Sequence, residues 1–183
     1  MSNDDLYSEF AQYPEMTQEQ KNVMMSVGLA LFGVQGVEAK LKILLSYTFP
    51  ERKDMTLQEM YDAHGQPSKE TLGRLIKKLR ERAAVEEDFE TLLTSFLQKR
   101  NRFVHGLLAD PEFNPINAAG IAKLHLFIDD MEAQCWHIDA ILMGYIVFFV
   151  KALGVHKEIM PKDSIYFNNL EKYFVPAIQP KSW

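Results

Sequence analysis

The sequence contains one cysteine, Cys135, which excludes an internal disulfide and any zinc site built from several cysteines. Such a chain is typical of a reducing compartment, so we expect a cytoplasmic protein. The sequence also lacks an apolar run of the roughly 20 residues that a membrane span needs, since the longest runs cover residues 23–37 and 138–150. The first residues are acidic where a secretory leader would be basic. We therefore expect no membrane association.

The chain has fewer basic than acidic residues overall, but its basic residues are concentrated in two segments. The net charge of −5 argues mildly against broad affinity for nucleic acid. Residues 69–82, however, hold six basic residues against two acidic ones, and Lys99, Arg100 and Arg102 add three more. With 183 residues, of which 47% are hydrophobic, the chain is long enough for one domain with its own core. Any interaction with an anionic partner is expected at these basic segments.

No segment alternates like a strand, and helical periodicity runs through most of the chain. Helix start signals are a capping box at Thr17 and Gln20, a second at Thr56 and Glu59, a cap at Ser68, and the pair Asn114 and Pro115. They predict helices over 18–49, 57–64, 69–82, from about 85 to at most about 109, and from 115 onward. We predict an all-α fold, an up-and-down antiparallel helical bundle of about four to five main helices. Residues 1–16 are predicted to form an arm, 17–154 the bundle, and 155–183 a tail docked on it.

The first and last long helices are apolar over more than one side. Gly28, Gly33 and Gly36 in the first helix are each unfavourable in a helix, so we expect another backbone to approach closely there. The last helix carries a regular apolar seam, which runs through Ile121, Leu124, Ile128, Met131, Cys135, Ile138, Leu142, Tyr145 and Phe149. Cys135 belongs to that seam and is therefore expected in the core.

The central helix holds the candidate site near its end. Its apolar positions recur at three-and-four spacing, and Arg100 falls where the next apolar residue is due. A buried guanidinium needs a partner, and the likeliest is Glu38, the only carboxylate in the stripe of the first helix. Asn101 and His105 are four residues apart and share a helix face next to Arg100. His105 lies near the end of its helix, where the dipole favours an imidazolium.

This residue set suits phosphodiester chemistry. A histidine moves protons near neutral pH, and an arginine neutralises charge that develops on a phosphate. The four other histidines have no metal-ligand spacing, and the site needs no metal and no cofactor.

At Arg100, Asn101 and His105 the chain resembles the HEPN (higher eukaryotes and prokaryotes nucleotide-binding) superfamily. That superfamily's motif is an arginine, usually a polar residue next, and a histidine after four to six intervening positions. The resemblance implies a helical bundle and, as in many members, a metal-independent endoribonuclease that acts as a toxin or antiviral effector. It implies that Arg100 binds the scissile phosphate, that His105 is the general acid or base, and that Asn101 orients one of them. It also implies a homodimer in which two motifs meet.

The chain departs from one toxin subgroup of that superfamily. That subgroup carries a tyrosine two residues after the histidine, where this sequence has Leu107. Modification of such a tyrosine by a partner nucleotidyltransferase is therefore not implied. The resemblance leaves open a cognate antitoxin or another regulatory protein as a partner, beside RNA.

Each of these residues also has a plain structural interpretation. Arg100 can be one half of a buried ion pair with Glu38, and His105 can cap the end of its helix. Arg102 and the basic residues Arg74, Lys77 and Lys78 are either RNA contacts or a solvated surface. Two functions stay open, a dimeric RNA endonuclease and a catalytically inactive helical module that binds a nucleotide or protein. An enzyme needs Arg100 and His105 within reach of a phosphate.

Overall fold

The computed structural model describes residues 15–52, 54–65, 70–107, 109–152 and 178–180, which form a bundle of five α-helices. The helices are α1 (Gln18–Ile43), α2 (Leu57–Gly65), α3 (Leu72–Arg82), α4 (Glu87–Gly106) and α5 (Ala118–Ala152). A π-helical turn, Leu44–Thr48, continues α1, and a 3-10 turn, Pro111–Phe113, lies between α4 and α5. The predicted all-α bundle is confirmed.

The two predicted capping boxes are present. The backbone N–H of Gln20 donates to the hydroxyl of Thr17 at 3.2 Å, and the Gln20 side chain accepts from the Thr17 N–H at 2.8 Å. Thr56 and Glu59 form the same exchange at the start of α2. Both boxes satisfy N–H groups that a helix start leaves unpaired, which is why the sequence located these starts correctly. Ser68, the predicted cap of α3, lies outside the described residues.

The predicted start of the last helix is wrong by three residues. The Asn114 side chain accepts from the N–H of Ile116 at 2.9 Å and closes a turn, whereas Asn117 accepts from the N–H of Gly120 at 2.7 Å and opens α5. A Cβ on Gly120 would lie 2.1 Å from the carbonyl oxygen of Asn114. Glycine is therefore required where the turn folds back on the first turn of α5.

Helix α4 runs antiparallel to both α1 and α5. Lys40 of α1 pairs with Asp139 of α5 at 2.6 Å, and Gln20 donates to the carbonyl of Pro115 at 3.1 Å. These contacts set α1 and α5 side by side in the same direction. In α4, by contrast, Lys99 pairs with Asp130 and Ser95 accepts from Gln134, so sequence numbers rise on one helix as they fall on the other.

Of the three glycines expected to meet another backbone, one has a close neighbour, and it is a side chain. A Cβ on Gly33 would lie 3.4 Å from Sγ of Cys135 in α5. At Gly28 and Gly36 a Cβ would meet nothing within 4 Å, and the prediction is wrong for both. The reason is that these two glycines lie on sides of α1 that none of the described helices covers.

The seam of α5 packs into the core as predicted. Its positions from Ile121 to Tyr145 are buried, and burial raises the pKa of the Cys135 thiol to about 12. The stretch Ala118–Lys151 is also long and apolar enough to cross a membrane by length and composition, although 44% of its most apolar window is buried inside the protein. The core helix of a soluble protein meets the same criterion, so the absence of membrane association stays a prediction.

A short β-ladder was not expected. Strand β1 (Ala83–Val85) pairs antiparallel with β2 (Ile178–Pro180), and the buried Tyr145 hydroxyl accepts from the N–H of Ile178 at 2.8 Å. Three-residue strands are too short to show alternation, which explains the omission. Residues 1–14 and 153–177, which include most of the predicted arm and tail, lie outside the described residues.

Candidate functional site

Arg100 is held by Glu38 between α4 and α1. Its Nε and Nη2 donate to one carboxylate oxygen of Glu38 at 3.2 and 2.9 Å. The two side chains are 16% and 19% exposed, so the pair is largely desolvated. The predicted pairing is confirmed.

The position of Arg100 follows from the stripe of α4. Phe96 and Phe103 are buried four residues before and three residues after it, so helical periodicity turns the side chain inward. An unpaired charge there would be strongly unfavourable, and Glu38 offers the compensating carboxylate. This pair ties the last turns of α4 to the second half of α1.

Asn101 and His105 lie on the exposed side of α4. The third guanidinium nitrogen of Arg100, Nη1, lies 3.5 Å from Oδ1 of Asn101, at the limit of a hydrogen bond. His105 is five positions after Arg100, which is about 140° around the helix and about 7.5 Å along it. The expected single cluster is therefore a row, with Arg100 against α1, Asn101 beside it and His105 one turn further.

His105 is exposed and borders a wide groove of about 840 Å³. No hydrogen bond to its imidazole occurs among the described residues, so the capping role is not observed in that part of the chain. The groove lies between the first half of α1, the end of α4 and the turn that precedes α5. Its walls are mainly apolar, with Met24, Val27, Leu31, Phe103, Phe113 and Ile116. The imidazole is free to meet a ligand that enters this groove.

Arg102 holds in place the turn that forms one wall of the groove. Its Nε donates to Asp110 at 2.8 Å, its Nη2 donates to Glu112 at 2.9 Å, and its guanidinium stacks on the Phe113 ring with 4.4 Å to the ring centre. The hydrogen bond from Arg102 holds the pKa of the Asp110 carboxyl below its ordinary value. Arg102 therefore positions the turn around Phe113, and its predicted contact with RNA stays a prediction.

The predicted RNA-binding residues of α3 are not beside His105. Gly73 faces Leu97, and Arg80 donates to Thr94, so α3 packs against the first two thirds of α4. His105 lies eight residues beyond Leu97, about 12 Å further along the axis.

Two of those residues also have acidic neighbours. Lys78 pairs with Glu70, and Lys77 lies 3.8 Å from Glu81, while Arg74 is exposed. The role of this surface in RNA binding stays a prediction.

Sequence reasoning missed the groove itself. Its apolar walls come from three separate segments. The only signals for it in the sequence were the apolar residues of α1 outside the buried stripe and the apolar Ile116, whose side chain is 82% exposed in the structure. Among the described residues, no three His, Cys, Asp or Glu side chains lie close enough to hold a metal ion. The polar groups at the groove are His105, Asp110 and Asn114.

Comparison with known proteins yields no relative. No protein-family model matches the chain, and no curated protein or solved structure matches it significantly. The geometry of the site and the resemblance of its motif are therefore what point to a function.

Proposed function

We propose that this chain is a metal-independent endoribonuclease of HEPN type, in which the RNA 2′-hydroxyl attacks the neighbouring phosphate. The observation that carries the proposal is the row of Arg100, Asn101 and His105 on α4. Glu38 fixes the orientation of the Arg100 guanidinium, and the exposed imidazole of His105, about one turn further along the helix, borders an open groove. Such an activity suits a toxin or an antiviral or stress effector.

Arg100 and His105 would have different roles in this reaction. Glu38 occupies Nε and Nη2 of Arg100, so Nη1 is the nitrogen that a phosphate oxygen would approach, beside the Asn101 amide. Because the guanidinium is already oriented, little freedom would be lost when it binds the phosphate. The bond from O2′ to phosphorus forms, the bond from phosphorus to O5′ breaks, and His105 moves a proton at one of these two oxygens. The apolar walls of the groove suit the face of a nucleobase.

This reaction needs two proton transfers, one from the 2′-hydroxyl and one to the leaving O5′. One chain offers one imidazole, His105, at the described groove. A second copy with its own His105 would supply the other, which agrees with the dimer that the resemblance implies.

The test is cleavage of single-stranded RNA in EDTA by the wild type, His105→Ala and Arg100→Lys. Proton transfer and charge stabilisation each contribute 100-fold or more, so each variant is expected to cut at least about 100-fold more slowly. Arg100→Lys keeps a cation opposite Glu38, whereas Arg100→Ala would leave that carboxylate unpaired. The lysine ammonium would be taken up by Glu38 and lacks the second arm of the guanidinium, so the phosphate would lose its donor. Circular dichroism checks the fold. Cleavage that survives His105→Ala, or that depends on added magnesium, would overturn the proposal.

A second function is favoured by one observation. Glu38 already accepts two hydrogen bonds from Arg100, and both side chains are largely buried, as expected of a purely structural pair. The chain would then be a catalytically inactive module whose apolar groove binds a regulatory protein. Under that proposal the wild type leaves RNA intact at every concentration tested.

A further inference from the structure

A small pocket of about 160 Å³ lies between the end of α1, α2 and α3. Ser46, which lines it, comes 15 residues after Leu31, the last groove residue of α1, so the pocket is roughly 20 Å along the axis from the groove that His105 borders. Charged and polar side chains make up more than half of the residues that line the pocket, whereas the walls of the groove are mainly apolar. The pocket is therefore a separate site with a different chemistry.

Arg82 of α3 is anchored at this pocket by the carbonyl groups that end α1. The π-turn that continues α1 pairs the N–H of Phe49 with the carbonyl of Leu44 at 2.9 Å. The next carbonyl in that pattern, of Leu45, would need an N–H from Pro50, which has none. Nη1 of Arg82 donates to it instead at 3.2 Å, and to the carbonyl of Phe49 at 3.0 Å. Nε and Nη2 form no hydrogen bond within the described ranges, so the guanidinium is fixed in orientation and still offers two nitrogens.

Further hydrogen-bonding groups line the same pocket. Lys42, one turn before Ser46, is half-buried and has no ion pair in the part of the chain that the structure describes. The Ser46 hydroxyl and Nδ1 of His64 are 3.2 Å apart and share a hydrogen bond. Lys78 of α3 also lines the pocket and pairs with Glu70. Several donors from three segments therefore meet around one small space.

The charges that remain without an ion pair are two cations and one carboxylate. Lys78 and Glu70 compensate each other, whereas Lys42, Arg82 and Glu51 line the pocket with no ion pair to any other described residue. Like charges that line one pocket favour an anion between them. The volume is well below the roughly 300 to 1,000 Å³ of sites for drug-sized ligands, which suits one small ion.

We propose that this pocket binds inorganic phosphate. Nε and Nη2 of Arg82, the Lys42 ammonium and the Ser46 hydroxyl are more donors than the two oxygens of a carboxylate can use, whereas phosphate has four oxygens. A guanidinium whose orientation is already fixed loses little freedom when it binds such an ion. The inference does not depend on the proposed nuclease, because no residue of this pocket belongs to the row of α4.

Glu51 gives the reason for phosphate over other small anions. Inorganic phosphate keeps at least one proton at neutral pH, so one of its oxygens can donate to an unpaired carboxylate. Sulfate and a fully ionised phosphomonoester have no such proton, and Glu51 would only repel them. The carboxylate that seems out of place in an anion site thus becomes the group that selects the ligand.

Isothermal titration calorimetry of the full chain with sodium phosphate, at neutral pH and constant ionic strength, tests the binding. We expect one saturable site per chain and about tenfold weaker binding to Lys42→Gln, the effect of losing one charge-assisted hydrogen bond. Lys77→Gln is the matched control, because it removes the same charge from an exposed position of α3 that does not line the pocket. Absence of saturable binding to the wild type, or an equal loss in the control, overturns the proposal.

Sodium sulfate and glycerol phosphate test the role of Glu51. The wild type is expected to bind each of them about tenfold more weakly than phosphate, and Glu51→Gln is expected to remove most of this difference, since an amide does not repel an anion. Glycerol phosphate that binds the wild type more tightly than phosphate would assign the pocket to a phosphomonoester and overturn the assignment to the free ion. Equal affinity of the wild type for sulfate and phosphate would overturn it as well.

NMR of the histidine ring protons locates the bound ion. Phosphate is expected to shift the signals of His64, identified with His64→Gln, and to leave those of His105 in place, because the two rings lie at opposite ends of the pairing between α1 and α4. A shift at His105 without one at His64 would put the ion in the groove and overturn the proposal. RNA that stays uncut would overturn only the proposed nuclease.

Discussion

Two arginines that are two residues apart in α4 occupy different kinds of charge site. Arg100 is 16% exposed and binds Glu38, which lies 62 positions away in the sequence. Arg102 is 42% exposed and binds Asp110 and Glu112, which lie 8 and 10 positions away. The first joins two long helices across the bundle, and the second folds a turn back onto its own helix.

Because the two sites differ in burial, they are expected to differ in stability: burial, more than the number of ion pairs, decides what a charge contributes to the free energy of unfolding. A carboxylate and a guanidinium that are removed from water depend on each other, so loss of one leaves an uncompensated charge. Exposed pairs are screened by solvent and contribute little even when several are present. We therefore expect the two arginines to differ clearly in their effect on stability.

The largest effect on stability is expected for the pair of Glu38 and Arg100. Glu38→Ala should lower the free energy of unfolding by about 3 kcal/mol, near the lower end for a buried pair because both side chains keep some exposure. The double variant Glu38→Ala with Arg100→Leu should recover at least half of that loss. Urea unfolding of all four proteins measures the coupling, and strictly additive losses would show that the pair contributes nothing as a pair.

A smaller loss is expected for Arg102→Ala. The variant removes two exposed ion pairs and the stacking on Phe113, which together amount to about 1 kcal/mol. Lys123→Ala is the control, because Lys123 also pairs with Glu112, at 3.5 Å, without stacking on an aromatic ring among the described residues. Urea unfolding should rank the control close to the wild type. A loss of stability for Arg102→Ala as large as that for Glu38→Ala would contradict the expected difference between the buried and the exposed arginine.

The smallest effect is expected from the pH dependence of Asp110. The hydrogen bond from Arg102 lowers the pKa of this carboxyl in the folded protein below its ordinary value of 3.8. The stability that the ionised carboxyl contributes is therefore fully present when the pH is above the ordinary pKa, and it is lost as the pH falls through the lowered pKa of the folded protein. Thermal unfolding should show Asp110→Asn less stable than the wild type at pH 6, with the difference shrinking below pH 4. A difference that does not change with pH would contradict the assignment.

Much of the framework could be predicted because its signals are local. Capping boxes at Thr17 and Thr56 located two helix starts, and periodicity placed Arg100 in a buried stripe. Glu38 followed as its partner because it is the only carboxylate in the stripe of the first helix. These inferences needed only spacing along one helix at a time.

What could not be predicted depends on segments that meet in three dimensions. The groove exists because the turn before α5 folds back, with Asn114 against Gly120 and Phe113 under Arg102. No single helix carries that information. The spacing of five residues already implies that Arg100 and His105 point in different directions from α4. That Arg100 faces α1 while His105 faces the groove could be seen only in the structure.

The measurement that tests the central claim most directly uses a DNA oligonucleotide with one ribonucleotide, incubated with the protein in EDTA. The proposed mechanism predicts a cut only on the 3′ side of that ribonucleotide, with a 2′,3′-cyclic phosphate and a 5′-hydroxyl as the new ends, because only that position carries the attacking 2′-hydroxyl. His105→Ala should abolish the cut. Cleavage at a deoxynucleotide, or 5′-phosphate ends, would contradict the account.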